Sequence, residues 1–410
     1  MFVHPPRSNL LRGFIAFSLT LCVTVVCSVA GAADGSSVGN GSAPPALGGK
    51  QIFEARCAAC HGADGRGGPG RQLLKVDLPD FTDCAFASRE PDADFAAVIH
   101  GGGPARGFSA LMPAHGQASS QAEMDEINAR LSGGGEPGPA LGTGLDQAGI
   151  ARVIAYLRSF CSDERWPRGE LNLPRPLITE KAFPEDEVVI TTFANVNREG
   201  FVSNHLLFEK RIGPRAMVEM DLPVTSREWE RGGRTEWYSG AGDFAIGTKY
   251  AFFHSLESGS IASLGAELKV PTGDDERGLG NGSVVFEPYL AAGQFLPWDS
   301  FVQMQLLGEI PTSGAGEISL RGTLGTTFTP ILHGRTFSPM VEVIGVFALG
   351  RNSEENLDIV PQIQIPLNRR QHVRLNVGVW IPATRNDSRP TRVGAYLLWD
   401  WFDGGLFEGW

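Results

Sequence analysis

Two periodicities divide this chain. In the first part, apolar residues recur every three or four positions. Ile150, Val153, Ile154 and Leu157 mark one face of a helix predicted over Gln147–Cys161, and shorter helices are predicted over Gly48–Cys57 and Asp92–Ile99. Beyond Asp186 the period falls to two. In Ser300–Ile310, Val302, Met304, Leu306 and Ile310 alternate with Gln303, Gln305 and Glu309. Ile318, Leu320, Leu324 and Phe328 alternate with Glu317, Ser319, Arg321, Thr323 and Thr327. Val218, Met220 and Leu222 oppose Glu219 and Asp221, Leu264, Leu268 and Val270 oppose Glu267 and Lys269, Ile359 and Ile363 oppose Asp358 and Gln362, and Val377 and Val379 oppose Arg374 and Asn376. Twelve such segments can be counted, most of them nine to fourteen residues long.

Segments of about ten residues with one apolar and one polar side, separated by turns, are the pattern of a transmembrane β-barrel. The connections agree. Gly213-Pro214, Pro297-Trp298 and Asn368-Arg369-Arg370 are short, and they alternate with the longer polar stretches Ser226–Gly242, Thr272–Gly282 and Thr384–Pro390. Trp380, Trp399, Trp401, Phe402 and Trp410 are candidates for an aromatic girdle. A soluble β-sandwich also alternates, but it does not need even segment lengths or alternating loop lengths. The expected fold class is therefore two domains: an all-α domain, then a transmembrane antiparallel β-barrel of about twelve strands. The inward set, including Glu219, Lys249, Glu267, Lys269, Glu287, Glu309, Arg321, Glu342 and Arg374, reads either as a mutually paired polar lumen or as a selective pore.

Other segments set the boundaries. Arg7 and Arg12 precede an apolar run from Gly13 to Val29 and then Ala30-Gly31-Ala32-Ala33, so residues 1–33 read as a secretory signal peptide, with a retained anchor as the alternative. Residues 34–46 are a Gly/Ser/Ala/Pro linker, 47–163 the helical domain, 164–185 a Pro-rich semi-rigid connector, and 186–410 the barrel. A net charge of −11 argues against a nucleic-acid partner. Outside the first 33 residues no apolar run is long enough for a membrane-spanning helix.

The chemistry-bearing motif is Cys57-Ala58-Ala59-Cys60-His61, the C-x-x-C-H of covalent haem attachment; half a zinc site or a redox pair is the competing reading. With the Gly-rich stretch after it and Gly107-Phe108-Ser109-Ala110-Leu111-Met112-Pro113 downstream, residues 47–163 resemble a class I cytochrome c. The resemblance implies one haem c bound through Cys57 and Cys60, with His61 and Met112 as its axial ligands. His100 and His115 are the competing ligands. Of six cysteines, Cys22 and Cys27 fall in the signal segment, which leaves Cys84 and Cys161 either as a disulfide, favoured in an oxidising compartment, or as two buried thiols.

The second half resembles the outer-membrane family associated with meta-pathway phenol degradation, through Gly240–Tyr250, Leu268–Asp274 and Gly278–Gly282. The whole is partly similar to fused porin-cytochromes. These resemblances imply an outer-membrane electron-transfer protein with a periplasmic haem, in contact with outer-membrane lipid. Its electrons would be exchanged with a periplasmic redox partner or with a small redox substrate admitted by the barrel. The alternative is a channel for small, possibly aromatic, solutes with an accessory cytochrome. Neither reading requires an enzyme.

Overall fold

The computed structural model describes residues 47–76, 78–116, 144–330, 333–350 and 355–400. The segments expected as signal peptide (1–33) and linker (34–46), most of the Ser119–Gly144 insertion, and Trp401, Phe402 and Trp410 lie outside the described residues.

The first part is helical. A leading helix, Gly49–Arg56, runs into a short turn of helix, Ala58–His61; further helices cover Gly68–Leu74, Cys84–Ala87 and Asp92–Gly101, and the closing helix is Gln147–Arg158. Asp146 caps the closing helix by accepting from the Gly149 N–H at 2.7 Å. Its stripe of Ile150, Val153, Ile154 and Leu157 packs on Ile52, Phe53, Cys57, Phe81 and Ile99. Leading and closing helices cross so closely that a Cβ on Gly49 would stand 1.9 Å from the Arg152 carbonyl oxygen. A disulfide joins Cys84 to Cys161 with a Cα separation of 5.3 Å, tying the end of the closing helix to the segment before Asp92.

The second part is a closed antiparallel barrel. Its strands are β1 (Glu187–Asn195), β2 (Phe201–Ile212), β3 (Ala216–Arg231), β4 (Arg234–Ala241), β5 (Phe244–Ser255), β6 (Ser260–Val270), β7 (Val285–Leu296), β8 (Ser300–Pro311), β9 (Glu317–Thr326), β10 (Ser338–Ala348), β11 (Glu355–Pro366), β12 (Val373–Pro382) and β13 (Arg392–Asp400). Except for β4 and β5, strands that follow one another in sequence pair, and β1 pairs with β13 from Glu187↔Asp400 to Asn195↔Arg392, closing the ring. The thirteen strands fill twelve positions, because β4 and β5 lie end to end along β3. Pairing passes from Asp221↔Ala245 to Val224↔Ala241, three steps on β3 against four on the other side, so a bulge at Gly242-Asp243 separates the two halves of one broken strand.

The stretch Ser226–Gly242, expected as a loop, is mostly a β-hairpin. Gly232 and Gly233 both have positive φ (59° and 76°), as a two-residue primed turn requires. Its residues are largely exposed on both faces, which is why no apolar alternation announced it.

Alternation is borne out elsewhere. Leu306, Ile310 and Leu324 are about half exposed (49%, 53% and 58%), whereas Gln303, Gln305, Ser319, Thr323 and Glu342 are buried inside. An apolar exterior over a polar interior is the arrangement a lipid-facing barrel needs. Among the described residues no helix is long and apolar enough to cross a membrane.

The Pro-rich stretch read as a connector lies inside the barrel. Residues 171–186 enter and return at the end where the short turns gather, and they touch all twelve strand positions. Arg175 pairs with Glu187 of β1 and Glu209 of β2, each at 2.5 Å, and its carbonyl accepts from Asn376 of β12 and Tyr396 of β13. The N–H groups of Leu177, Ile178 and Thr179 donate to the Glu342 carboxylate of β10, and Leu177 also donates to Gln362 of β11. Arg321 of β9 donates to the Ile178 carbonyl, and Gln303 of β8 to that of Pro174. Lys249 of β5 holds Glu180 at 2.6 Å, Ser263 of β6 donates to the Ala182 carbonyl, and the Glu185 N–H reaches the Met217 sulfur of β3. At Gly293 of β7 a Cβ would stand 2.8 Å from Leu173.

Pro174, Pro176 and Pro184 have no N–H, so an irregular segment in a lumen carries fewer donors to satisfy. Physically, a ring of eight strands is filled by side chains alone while larger rings leave a channel; here twelve strands are filled by the chain's own backbone.

Candidate functional site

The attachment motif is built on one turn. Cys57 ends the leading helix, and the N–H groups of Cys60 and His61 both donate to its carbonyl, at 3.1 and 2.9 Å. Two thiols and an imidazole therefore hang from a single helical turn. Helix Gly68–Leu74 packs directly on this turn: a Cβ on Gly70 would lie 2.5 Å from the Cys60 carbonyl oxygen, so only glycine lets the two backbones meet.

Cys57 and Cys60 carry free thiols, unlike Cys84 and Cys161. Burial, with Cys60 nearby, pushes the Cys57 thiol up to about 12. His61 is buried beside Phe81, ring centroids 5.2 Å apart. Burial first, and the neighbouring His115 second, bring its pKa down to about 4. The imidazole is thus neutral at pH 7, with a lone pair to offer a metal. Its Nδ1 has no hydrogen-bond partner among the described residues.

Met112 sits in a loop held by its own backbone: its N–H donates to the Ser109 carbonyl, and its carbonyl accepts from Gly103. Arg106 fixes the base of that loop by pairing with Asp94 at 2.9 Å and donating to the His333 carbonyl of the β9–β10 connection.

A cavity of about 770 Å³ brings these groups together. Cys57, Cys60, His61 and Met112 all line it, over walls that include Phe81, Phe86, Phe95 and Ile99. His100 and His115 do not line it. His115 is buried near His61 but off the cavity wall, its backbone N–H bonded to the Ile99 carbonyl, and His100 stacks 4.9 Å from His333. Phe108 and Leu111, 38% and 41% exposed, form an open apolar rim. Size, apolar walls and a thiol–thiol–imidazole–thioether donor set on one cavity fit a covalently held haem.

Residues 46–160 match the model of the cytochrome c family. The chain joins a cytochrome c domain to a β-barrel. That family implies haem c, covalently bound. In sequence, no curated protein matches the chain. Among solved structures, the barrel half is similar to an outer-membrane channel, COG4313, of Pseudomonas putida F1 (13% identity, TM-score 0.40, 55% of this chain and 99% of that one). It is also similar to the KdgM porin (12%, 0.35, 52% and 98%) and to outer membrane phospholipase A of Escherichia coli (11%, 0.31, 53% and 97%). The barrel itself is given by its strand pairing.

Sequence reasoning missed two things. Lys210, Arg370 and His372 of the barrel also line the cavity; the paired arginines of Asn368-Arg369-Arg370 were the available signal, read only as a turn. The lumen segment was missed too, although Leu171, Leu173, Leu177 and Phe183 are more apolar than an exposed connector needs. The expected paired lumen is present in part, as in Lys269 with Glu287 at 2.6 Å. Glu180, Glu209 and Glu219 bring carboxylate oxygens within 4.8 Å of one another, and Lys249 and Arg175 answer them.

Proposed function

We propose that this chain is an outer-membrane electron-transfer protein in which one haem c, held through Cys57 and Cys60, exchanges electrons at the periplasmic end of the barrel. The observation that carries the reading is the shared cavity of Cys57, Cys60, His61 and Met112 at the end where the short turns gather, the periplasmic end in barrels of this kind. When bound, the haem supplies a reversible one-electron store. His61 and Met112 would hold its iron, and an imidazole–thioether pair suits electron transfer rather than oxygen chemistry. Phe81, Phe95 and Ile99 keep water from the cavity, while the exposed rim at Phe108 and Leu111 gives a partner close approach.

The lumen segment bears on the rest. A small redox substrate passing through the barrel to the haem would have to displace residues 171–186, so exchange with a periplasmic partner at the rim is the favoured route. A gated channel is the second reading; its support is that beside its apolar contacts the segment is held by hydrogen bonds and ion pairs, which water can replace.

Met112→Ala tests the ligand assignment. The haem should stay attached, its reduction potential should fall, and the sixth position should open to added ligands. An unchanged potential with an unaltered ligand band would assign the position to another residue.

A further inference from the structure

The haem cavity is not made by the helical domain alone. Lys210 lies on β2 just before the β2–β3 turn, and Arg370 and His372 lie in the β11–β12 turn; all three side chains line the same cavity as Cys57, Cys60, His61 and Met112. The contacts that hold the two domains together run along this wall. Arg89 pairs with Asp186 at the end of the lumen segment, and Lys210 reaches the same carboxylate at 2.7 Å. His372 stands 3.7 Å from Glu90 and 3.4 Å from Asp400. The Arg370 guanidinium lies 4.5 Å over the Phe108 ring, which places a cation at the rim.

A haem brings two carboxylates of its own into any cavity that takes it. Half-buried carboxylates need cations or donors. On the helical side, Arg71 also lines the cavity, while Arg106 pairs with Asp94 and the His333 carbonyl and Arg89 with Asp186. The barrel adds two cations to this lining: Lys210, half exposed and sharing Asp186 with Arg89, and Arg370 over the Phe108 ring.

Resting on the haem reading above, we infer that the barrel completes the haem site: Lys210 and Arg370 meet the haem carboxylates, so the barrel sets the potential of the cofactor as well as anchoring the domain. They are positioning and tuning residues; neither touches the iron.

The test is equilibrium redox titration of the full-length, haem-bearing protein in detergent. Lys210→Gln and Arg370→Gln should each move the equilibrium toward the oxidised form, since a positive charge near the haem favours the added electron. The expected shift is about threefold to tenfold in the equilibrium constant, a tenfold change being about 59 mV for one electron. Arg370→Glu should move it further in the same direction. Lys210→Arg and Arg370→Lys should restore the wild-type value, which a merely structural role would not guarantee. Arg277→Gln, in the β6–β7 connection at the opposite end, removes the same charge and should change nothing. If haem is attached but the double Gln variant and Arg370→Glu both titrate like wild type, the inference is overturned and the attachment reading stands. If the wild-type protein carries no haem, both fall together.

Discussion

The helical domain and the barrel use one chain and one rule with opposite signs. In the domain, Ile52, Phe53, Val153 and Ile154 are buried while charges such as Lys50 and Glu54 face out. In the barrel, Leu306 and Leu324 face out while Glu209, Glu342 and Asn376 are buried. The difference shows what each region treats as solvent. A water-facing domain gains by burying apolar area, about 25 cal/mol per Å². A lipid-facing wall already spends most of its apolar side chains on the outside, so directional bonds carry a larger share of its inside. The domain's interior is consequently a cavity with an apolar wall, suited to a large planar cofactor. The barrel's interior joins a hydrogen-bonded and ion-paired network to apolar clusters around Leu171, Leu177 and Phe183 of the closing segment 171–186.

The contrast is broken most severely at Glu342. It is fully buried and accepts from Leu177, Ile178 and Thr179 of the lumen segment, twice from the last. Glu342→Ala would strand several buried donors at about 1–3 kcal/mol each. The expected result is a loosened segment: single-barrel conductance in planar bilayers rises, and the temperature of heat-modified migration falls, while the haem spectrum stays as it was. Unchanged conductance would mean that the remaining contacts hold the lumen closed without this carboxylate.

How far these two regions could be read from sequence follows from the same contrast. Period-two alternation reports a wall with different media on its two sides, so the strands and their inward residues were legible. C-x-x-C-H was legible because three reactive groups must share one turn. The lumen segment was not, because Leu171 and Arg175 sit in a prolines-and-charges context whose partners, Glu209, Glu342 and Tyr396, are scattered along the chain. The contribution of Lys210 and Arg370 was hidden for a similar reason: only docking of the domain against the barrel end brings them to the cavity.

A smaller effect separates the regions by covalent chemistry. All the cysteines beyond residue 33 lie from Cys57 to Cys161, so the strands contain none. Replacing the bridge with Cys84→Ala and Cys161→Ala should destabilise the helical domain by about 2–5 kcal/mol. Thermal unfolding followed at the haem band should move down while heat-modified migration of the barrel stays put. If the barrel transition moves with it, the two domains unfold as one unit and the contrast holds in packing but not in stability.

The finest probe is a single methyl group where the leading and closing helices cross. At Gly49 an added Cβ would stand 1.9 Å from the Arg152 carbonyl oxygen, 2.7 Å from the carbonyl carbon and 3.1 Å from the Tyr156 Cβ. Backbone, not a flexible side-chain tip, blocks it, so the helices must part and the contacts of Phe53 with Tyr156 and Phe160 loosen with them. Overpacking of this kind costs about 1–3 kcal/mol, offset by the roughly 0.5–1 kcal/mol that alanine gains over glycine in a helix. The adjacent Gly48 provides the control: a Cβ there meets only the Gln51 amide oxygen at 3.7 Å. Gly49→Ala should therefore lower the melting temperature of the helical domain by several degrees, at about 4–8 °C per kcal/mol for a domain of this size, and Gly48→Ala should leave it nearly unchanged. Equal melting of the two variants would show that the crossing relaxes at little cost. It would also move the stability of the cavity away from this helix pair and onto the disulfide and the barrel-facing wall.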